Sequence, residues 1–540
     1  MTQKFGIRAL AAAALGLATA GAPTLADAAC GDLNTSGGVP NVADVVVLLR
    51  GVLGADITTS CGGAGGANCG DINADNGLTI SDAVILLNNV LGNETLYPIC
   101  VGEGPTIDCP SGGVRVIEDA ITSNQVWQSS CTYKLDGTIF VEAGVVLKIQ
   151  AGTTIKGIKD TANPPSAIIF KRDSKINAIG TSANPIVLTS DQPAGTRVPG
   201  DWGGIAFNGR GPVNCGQNEC LAEGLENVAF GGNETNDSSG VARYIRVEFA
   251  GAELTTDNEL NLWTMNGLGR GTTFDHIQAH MGLDDGHEWF GGNLNTKYMI
   301  ASGAADDSFD WQIGYTGTLQ YGYVKQYDGN IDTLGSRGFE GDNNEFGFNL
   351  LPRSDAKMCN VTLIGTKGQA GDTNNDGMLF RRGTLFKAAK VITTNFKKSG
   401  WKVNEADTMN LACNSSAAVT GGSYVRDSIF YNNSSNANPL LTAGGSSSAI
   451  AGGNCTSTSA LETKLIAAGY DITIKDPTIE AACSASGFSC NPVPATPATV
   501  ADSFDCKTID AAFDTTDYVG GFNPNAASWA SGNWVAYPVN

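Results

Sequence analysis

The sequence predicts a mainly β protein made of stacked coils, with a small helical domain in front of it. Two observations predict this architecture. From about Val114 onward, apolar and polar residues alternate in short runs between glycines, as in the segment Tyr133–Gly157. Short alternating runs with tight turns indicate the strands of a sandwich, a barrel or a solenoid. Runs such as YIRVEFAG, FDHIQAHMG and NVTLIG also recur about every 20 to 40 residues, the length of one solenoid repeat, which favours a parallel β-helix.

The first residues have the layout of an export signal. Two basic residues precede an apolar run, and the small-residue site Ala26-Asp27-Ala28 follows it. We therefore expect residues 1–28 to be removed, the mature chain to begin at Ala29, and the protein to be secreted or held at the cell surface. An aspartate three residues before Cys30 argues against lipid attachment there. No later stretch has the roughly 20 apolar residues of a membrane span.

Charge and cysteine content restrict the partners and the compartment. The net charge of −21 disfavours nucleic acid and anionic lipid, because both would be repelled, and it favours cations. Fourteen cysteines in an exported chain indicate disulfides. The close pairs Cys215/Cys220 and Cys483/Cys490 would each close a single loop, whereas the other pairings are not determined by the sequence.

An internal duplication follows the signal. The segments Gly31–Gly54 and Gly70–Gly92 each contain an acidic loop followed by an apolar helix, and the first copy has one inserted residue. Oxygen-bearing side chains in the second copy have the spacing by which an EF-hand loop surrounds Ca²⁺. The predicted calcium ligands are Asp71, Asn73, Asp75, Thr79 and Asp82 in the second copy, and Asp32, Asn34, Ser36 and Asp44 in the first. The insertion displaces Asp44, so the first loop should bind calcium more weakly.

This duplicated loop and helix resembles the dockerin family of EF-hand-like modules. The resemblance covers residues 29–100 and implies that calcium folds the module, with a cohesin-like or cell-surface protein as its partner. The added cysteines and the N-terminal position make calcium binding a firmer expectation than cohesin docking. Residues 101–113 are expected to be a linker.

The region 114–540 resembles the right-handed parallel β-helix of pectate-lyase-like proteins. Within it, GTIFVEAGVVLKIQAGTTIKG, GDWGGIAFNG and DDGHEWFGG are similar to exported bacterial β-helix proteins of unsettled function. The resemblance implies the fold and an extracellular polysaccharide as a possible partner. It supplies no catalytic residues.

Two hexapeptides share one spacing of acids and tryptophan. DDGHEW starts at Asp284, and DDSFDW starts 22 residues later at Asp306. Equivalent residues of successive coils would lie about 4.8 Å apart. Strand alternation then predicts two faces, with His287, Trp289, Phe309 and Trp311 inward and Asp284, Glu288, Asp306 and Asp310 outward. Two unit charges about 5 Å apart repel by about 3 kcal/mol at an effective dielectric constant near 20, so these outward acids require neutralisation.

The sequence leaves the third row of this ladder and its counter-charges open. Adding 22 again reaches Asp328 and Asp332, whereas the motif pattern fits Glu340 and Asp342 in RGFEGDN better. Neutralisation could come from a cation, from raised pKa values, or from nearby bases. The candidate bases are Lys297, Arg337, Arg381 and Arg382.

Three interpretations of the acids compete. The first is a calcium-binding or structural ladder, because hard cations take several oxygen ligands. The second is a carbohydrate-acting site in which two carboxylates serve as acid and base or nucleophile; the catalytic candidates are Asp284, Glu288, Asp306, Asp310 and His287. The third is a set of solvated acids without a shared site. Zinc is disfavoured, because His276 and His280 on one strand would lie about 13 Å apart.

A third acidic loop occurs at Gly371–Gly383. Asp372, Asn374 and Asp376 have calcium-loop spacing there, although glycine stands where the closing carboxylate is usual. The sequence therefore predicts an exported, calcium-binding β-helix protein with a structural, adhesive or glycan-binding role. The alternative is a polysaccharide-degrading hydrolase or lyase.

Overall fold

A computed structural model describes two units of the chain, Met1–Glu103 and Gly104–Asn540. Within them the described residues are 41–53, single positions between 83 and 90, 104–159, 165–216, 219–255, 258–331, 335–366, 374–413, 422–433, 470–479, 491–495 and 504–537. In this part of the chain no helix is both long and apolar enough to cross a membrane.

The described part of the first unit contains helix α1 (Val42–Val52). Asn41 caps it: its side chain accepts a hydrogen bond from the Ala43 amide at 2.9 Å, and Asp44 accepts from the Asn41 amide at 2.8 Å. Asp44, a predicted calcium ligand, therefore serves in a capping box. The other eight predicted ligands of this unit, Asp32, Asn34, Ser36, Asp71, Asn73, Asp75, Thr79 and Asp82, lie outside the described residues.

Parallel strands form most of the second unit. In its described residues a 16-stranded sheet, called the long sheet, contains β1 (Val114–Ile117), β2 (Gln125–Trp127), β3 (Thr132–Leu135), β5 (Val146–Ile149), β6 (Thr154–Gly157), β8 (Lys175–Ile179), β9 (Ile186–Ser190), β13 (Gly240–Glu248), β17 (Thr273–Gly282), β19 (Asn295–Ala304), β21 (Thr318–Lys325), β23 (Asp355–Ile364), β25 (Leu385–Thr394), β27 (Tyr424–Arg426), β28 (Ile429–Tyr431) and β29 (Thr473–Ile474).

A nine-stranded sheet, called the short sheet, faces it. It contains β4 (Thr138–Val141), β7 (Ala167–Phe170), β10 (Gly204–Asn208), β16 (Trp263–Asn266), β18 (His287–Phe290), β20 (Phe309–Gln312), β22 (Phe339–Gly341), β24 (Met378–Phe380) and β26 (Lys402–Val403). The remaining described elements are two small hairpins, a helix and a 3₁₀ turn: β11 (Cys220–Leu221) with β12 (Ala229–Phe230), β14 (Glu253–Thr255) with β15 (Asn258–Glu259), α2 (Ala406–Cys413) and Cys506–Thr508.

The chain alternates between the two sheets, which confirms the predicted parallel β-helix. Each coil in the middle of the unit gives one strand to the short sheet and one longer strand to the long sheet, as in β16, β17, β18 and β19. The long strands bend at one residue in the left-handed conformation, and these residues occupy one register position in successive coils. They are Tyr244, His276, Tyr298, Tyr321, Asn360, Lys390 and Asp427. The bend divides the long sheet into two walls, so each coil has three sides.

The core is built from vertical columns of inward side chains. Every second residue of a short-sheet strand points inward, and one such column contains Ile168, Ile205, Trp263, His287, Phe309, Phe339 and Met378, all of them buried. In the adjacent column Trp289 is followed by Trp311 and then by Gly341. A Cβ on Gly341 would lie 2.2 Å from the Trp311 ring, so only glycine leaves room for that indole.

Disulfides and linker residues join the coils. Cys215–Cys220 closes a single loop, as predicted, and Cys109–Cys131 and Cys359–Cys506 are two further bonds. Residues 104–113, expected as linker, already belong to the second unit, since Thr106 pairs with Val126.

Residues 504–537, called the C-terminal strap, run along the outer face of the long sheet. The Cys359–Cys506 bond fixes one end, and hydrogen bonds between Gln278 and Ala536 fix the other. Lys297 forms an ion pair with Asp514 of the strap at 2.8 Å. This lysine was a candidate counter-charge for the acidic hexapeptides, and the structure places it on the strap side instead.

The strap covers a stack of rings at the bend of the long sheet. Tyr244, His276 and Tyr298 stack with centroid distances of 4.4 and 4.3 Å. Trp534 of the strap packs edge-on, 5.8 Å from Tyr244 and 5.5 Å from His276, and it is almost fully buried. The indole therefore joins the strap to two coils.

Replacing Trp534 by alanine should destabilise the β-helix unit. Truncating a buried aromatic side chain costs about 3 to 5 kcal/mol, because contacts are lost and a cavity remains. Urea unfolding followed by fluorescence measures the change. Lys507→Ala, at an exposed position of the same strap, is the control and should leave the midpoint unchanged. Equal midpoints for both variants would contradict the assignment of the strap as part of the folded core.

Candidate functional site

The two acidic hexapeptides lie in vertical register on neighbouring coils. β18 and β20 pair so that Glu288 is beside Asp310 and Trp289 is beside Trp311. β20 and β22 then place Asp310 beside Glu340. The predicted register is confirmed, and the third row is the one in RGFEGDN. Asp328, the other described candidate for this row, lies in an exposed turn.

The predicted division into two faces is also confirmed, and it separates His287 from the acids. His287 lies in the core between Trp263 and Phe309, and its Nε2 is 3.0 Å from the carbonyl oxygen of Ile300. Burial lowers the pKa of His287 to about 3, so the ring is neutral at physiological pH. Of the catalytic candidates, the structure brings the four carboxylates together and leaves His287 on the opposite side of the strand.

The carboxylates form one cluster on the outer side of the short sheet. This acid cluster is defined as Asp284, Asp285, Glu288, Asp306, Asp307, Asp310, Glu340 and Asp342. Three groups within it have oxygen atoms within 4.8 Å of one another: Asp284/Asp285/Asp306, Asp285/Glu288/Asp310 and Asp307/Asp310/Glu340. Asp284 and Asp306 are half-buried, and the other six are buried. The interpretation of separate, solvated acids is therefore wrong.

Arginines neutralise Asp307, Glu340 and Asp342, called the lower end of the acid cluster. Arg337 lies 2.7 Å from Glu340 and 3.4 Å from Asp307. Asp342 accepts from Arg381 and from Arg382, both at 2.9 Å, and Arg381 also contacts Glu340. Three of the four predicted bases thus lie at the site.

The upper end of the cluster, formed by Asp284, Asp285, Glu288 and Asp310, has no such base among the described residues. Among the described residues, no lysine or arginine nitrogen lies within ion-pair distance of Asp284, Asp285, Glu288 or Asp310. Burial, followed by the charges of neighbouring carboxylates, raises the pKa of each of these four groups well above its ordinary value. Four acids in contact therefore lie in an environment that opposes their ionisation.

Two neutral residues complete the upper end, and the sequence reasoning missed both. Thr264 is the register neighbour of Glu288 on the preceding coil, and Asn261 donates its side-chain amide to Glu288. Thr264 Oγ1, Asn261 Oδ1 and Asp310 Oδ1 are buried and have no hydrogen-bond partner. One sequence signal could have identified Thr264. A shift of 24 residues aligns the glycine of WTMNG with the first glycine of HEWFGG, and it aligns Thr264 with Glu288. An all-oxygen set of this kind suits a hard cation such as Ca²⁺ or Mg²⁺.

The third predicted calcium loop shows a different arrangement. Asp372 lies outside the described residues, and Asn374 is half-buried. Asp376 is buried and accepts a hydrogen bond from Ser399 Oγ at 2.5 Å, with Lys402 at 3.7 Å. Protein groups thus already compensate the Asp376 carboxylate.

The acid cluster should make stability depend on pH when a chelator removes metal ions. Unfolded carboxylates ionise near pH 4, whereas burial raises the folded pKa of Asp342 to about 6 and those of the upper acids in the same direction. The folded state therefore retains protons that the unfolded state has lost. The contribution of the cluster to the free energy of unfolding consequently falls as pH rises above about 4, through about 6 and beyond.

Urea unfolding of the wild-type protein and of Glu288→Gln, from pH 4 to 8 in chelator, measures this contribution. The variant should gain stability relative to wild type as pH rises, because glutamine does not ionise. If the free energy of unfolding of wild type instead rose relative to that of the variant from pH 4 to 8, the raised pKa of Glu288 would be contradicted.

Comparison with known proteins assigns the β-helix unit to a family. Residues 119–462, more than half of the chain, match the family model described as pectate-lyase like beta helix domain. No curated protein and no solved structure gives a significant match. The matched region contains both sheets around the acid cluster and the cluster itself. The chain therefore belongs to the pectate-lyase-like β-helix family.

Proposed function

We propose that this chain is an exported calcium-binding β-helix protein that holds an extracellular glycan. The observation that carries the proposal is the group of four acids, Asp284, Asp285, Glu288 and Asp310, which lack an ion-pairing base among the described residues. Family membership connects the fold with polysaccharides. The role is structural, adhesive or glycan-binding, with calcium as the cofactor.

Calcium fits the donors of the upper end better than a transition metal does. Ca²⁺ takes six to eight oxygen ligands at about 2.3 to 2.6 Å and accepts irregular geometry. Carboxylates from two coils, the side-chain oxygens of Thr264 and Asn261, and water could supply such a set. Burial and mutual repulsion raise the pKa values of these acids, and a divalent ion would oppose both effects, since it favours the ionised form.

We extend the proposal to the N-terminal unit on the strength of its sequence. The loop spacing from Asp71 to Asp82 gives the second copy the complete ligand pattern of an EF-hand-type site. This unit would attach the protein to a cohesin-like or cell-surface partner, and the β-helix unit would then present its glycan site outward.

Exposed apolar side chains on loops of the β-helix unit support the glycan part of the proposal. Phe346 is 88% exposed and Leu351 is 75% exposed on the loop that follows Asp342. That loop is fixed, because Asn214 bonds to Asn343 at 2.8 Å and to Asn344 at 3.1 Å. A fixed loop that starts after a residue of the acid cluster and presents an exposed aromatic ring suits the C–H face of a sugar, and calcium would contact its hydroxyl or carboxyl groups.

Polysaccharide cleavage is the second candidate function, and the protonation of the acids favours it. The raised pKa of Glu288 would keep a proton available for a leaving-group oxygen, while a neighbouring carboxylate acts as base or nucleophile. The oxygens of Asp285, Glu288 and Asp310 lie within 4.8 Å of one another, close to the separation of about 5 to 5.5 Å in retaining glycosidases.

Calcium should stabilise the wild-type protein through the acid cluster. At a calcium concentration 100 times its dissociation constant, the expected gain is about 2.7 kcal/mol. Glu288→Gln and Asp310→Asn should each lose most of this gain, because each removes a ligand charge from the upper end. Melting temperatures in calcium and in chelator measure the effect. Asp328→Asn, at an exposed acid outside the cluster, is the control and should keep the full gain. An equal gain in all three variants would refute the calcium site.

Phe346→Ala should weaken glycan binding about tenfold, the effect of losing one aromatic contact of about 1.4 kcal/mol. Affinity electrophoresis or calorimetry against a panel of neutral and acidic polysaccharides measures this loss. Ile474→Ala, at an exposed position of the long sheet, is the control. Binding that is equal in both variants would remove Phe346 from the glycan site. Release of reducing ends that disappears in Glu288→Gln would instead establish the catalytic function.

A further inference from the structure

Arg337 occupies the lowest of the three carboxylate groups. Its Nη1 lies 2.7 Å from Glu340, 3.4 Å from Asp307 and 4.0 Å from Asp306. The Arg337 amide also donates to Asp307 Oδ1 at 2.6 Å. The side chain is 11% exposed, so the positive charge lies among carboxylates and largely out of water.

The position of Arg337 in the repeat explains this contact. The frames DGHE, DSFD and RGFE occupy successive coils, and their first residues are Asp285, Asp307 and Arg337. Backbone hydrogen bonds confirm the equivalence, since the Gly286 amide donates to the carbonyl oxygen of Asp307 and the Ser308 amide donates to that of Arg337. The third coil thus has a cation where the first two coils have an acid.

The upper groups also have buried neutral oxygens beside their acids. Asn261 Oδ1 and Thr264 Oγ1, two neutral oxygens beside Glu288, are buried without hydrogen-bond partners, as is Asp310 Oδ1, which the upper and lower groups share. Glu340 Oε2 of the lower group has no hydrogen-bond partner either, but it lies 2.7 Å from Arg337 Nη1. A buried acceptor without a donor costs about 1 to 3 kcal/mol, which indicates a missing ligand at that end. The guanidinium at the lower end already supplies the corresponding positive charge.

We infer that Arg337 is a tethered counter-cation that occupies the Asp307/Asp310/Glu340 group and thereby confines metal binding to the groups that contain Asp285. This inference rests on the proposed calcium site. A metal ion in the lower group would be ligated by the carboxylates that now contact the guanidinium, so arginine and metal exclude each other there. Arg337 therefore determines how many ions the acid cluster holds.

Counting bound metal in the full chain tests the inference. Calcium titration calorimetry and terbium luminescence give the number of ions bound by wild-type protein, by Arg337→Gln and by Arg337→Lys. Arg337→Gln should bind one additional ion, because it removes the guanidinium between Asp307 and Glu340 and leaves Arg381 as the base that contacts Glu340. Arg337→Lys should keep the wild-type number, because the positive charge remains. The double variant Arg337→Gln/Glu340→Gln should lose the additional ion, which locates it in the lower group.

A matched control separates the local effect from the general loss of an arginine. Arg243 pairs with Asp275 at 2.8 Å on the long sheet, and Arg243→Gln should keep the wild-type number of ions. An additional ion in Arg243→Gln as well, or no additional ion in Arg337→Gln, would overturn the inference. Failure of Arg337→Gln to fold at millimolar calcium would also overturn it, because calcium is expected to replace the lost charge.

The two proposals fail in different ways. If Glu288→Gln binds as many ions as wild type, both the calcium site in the acid cluster and the inference are refuted. If Glu288→Gln binds fewer ions than wild type but Arg337→Gln binds the wild-type number of ions, only the role of Arg337 is refuted.

Discussion

The parallel hydrogen bonding between successive coils is the constraint on which the rest of this structure depends. It holds equivalent residues about 4.8 Å apart, so any residue type that recurs at the coil period becomes a vertical column. Apolar recurrence produces the core, as in the column through Trp263 and Phe309. Recurrence of a left-handed residue bends every long strand at one position, which stacks Tyr244, His276 and Tyr298 outside the wall. Acids that recur at the coil period also form a column, but their stacking is unfavourable because like charges repel.

Columns of acids remain folded because their environment differs from end to end. Arg337 pairs with Glu340 on its own coil, and Arg381 and Arg382 reach Glu340 and Asp342 from the next coil. The upper rows have no such partners among the described residues, so proton uptake or a cation must balance them. Both responses lower the net negative charge of the upper end, and they compete: an ion displaces protons and restores the ionised carboxylates.

Much of this arrangement follows from the sequence, since the 22-residue spacing of the hexapeptides equals one coil. Their register, the inward tryptophans and the third frame at Glu340 follow from that spacing and from strand alternation. The burial of the acids does not, because it depends on residues outside the repeated frame, such as Asn261, which contacts Glu288. The place of Lys297 on the strap side was equally inaccessible, because its partner Asp514 is more than 200 residues away in the chain. The neutral donors Thr264 and Asn261 carry no acidic signal.

The column that contains Glu288 shows that the fold itself does not require acids there. On earlier coils the same outward position holds Phe140, Ile169 and Ala206, and on the coil after Glu340 it holds Leu379. Apolar side chains are therefore compatible with this wall and would be buried without repulsion. Among the described residues of this column, acids occur on three consecutive coils, where burial and their mutual repulsion raise their pKa values and buried oxygens remain without partners. Such a local run of acids, in a column whose other described members are mostly apolar and include Thr264 and Lys402, has a cost in stability and is expected of a binding site rather than of a scaffold.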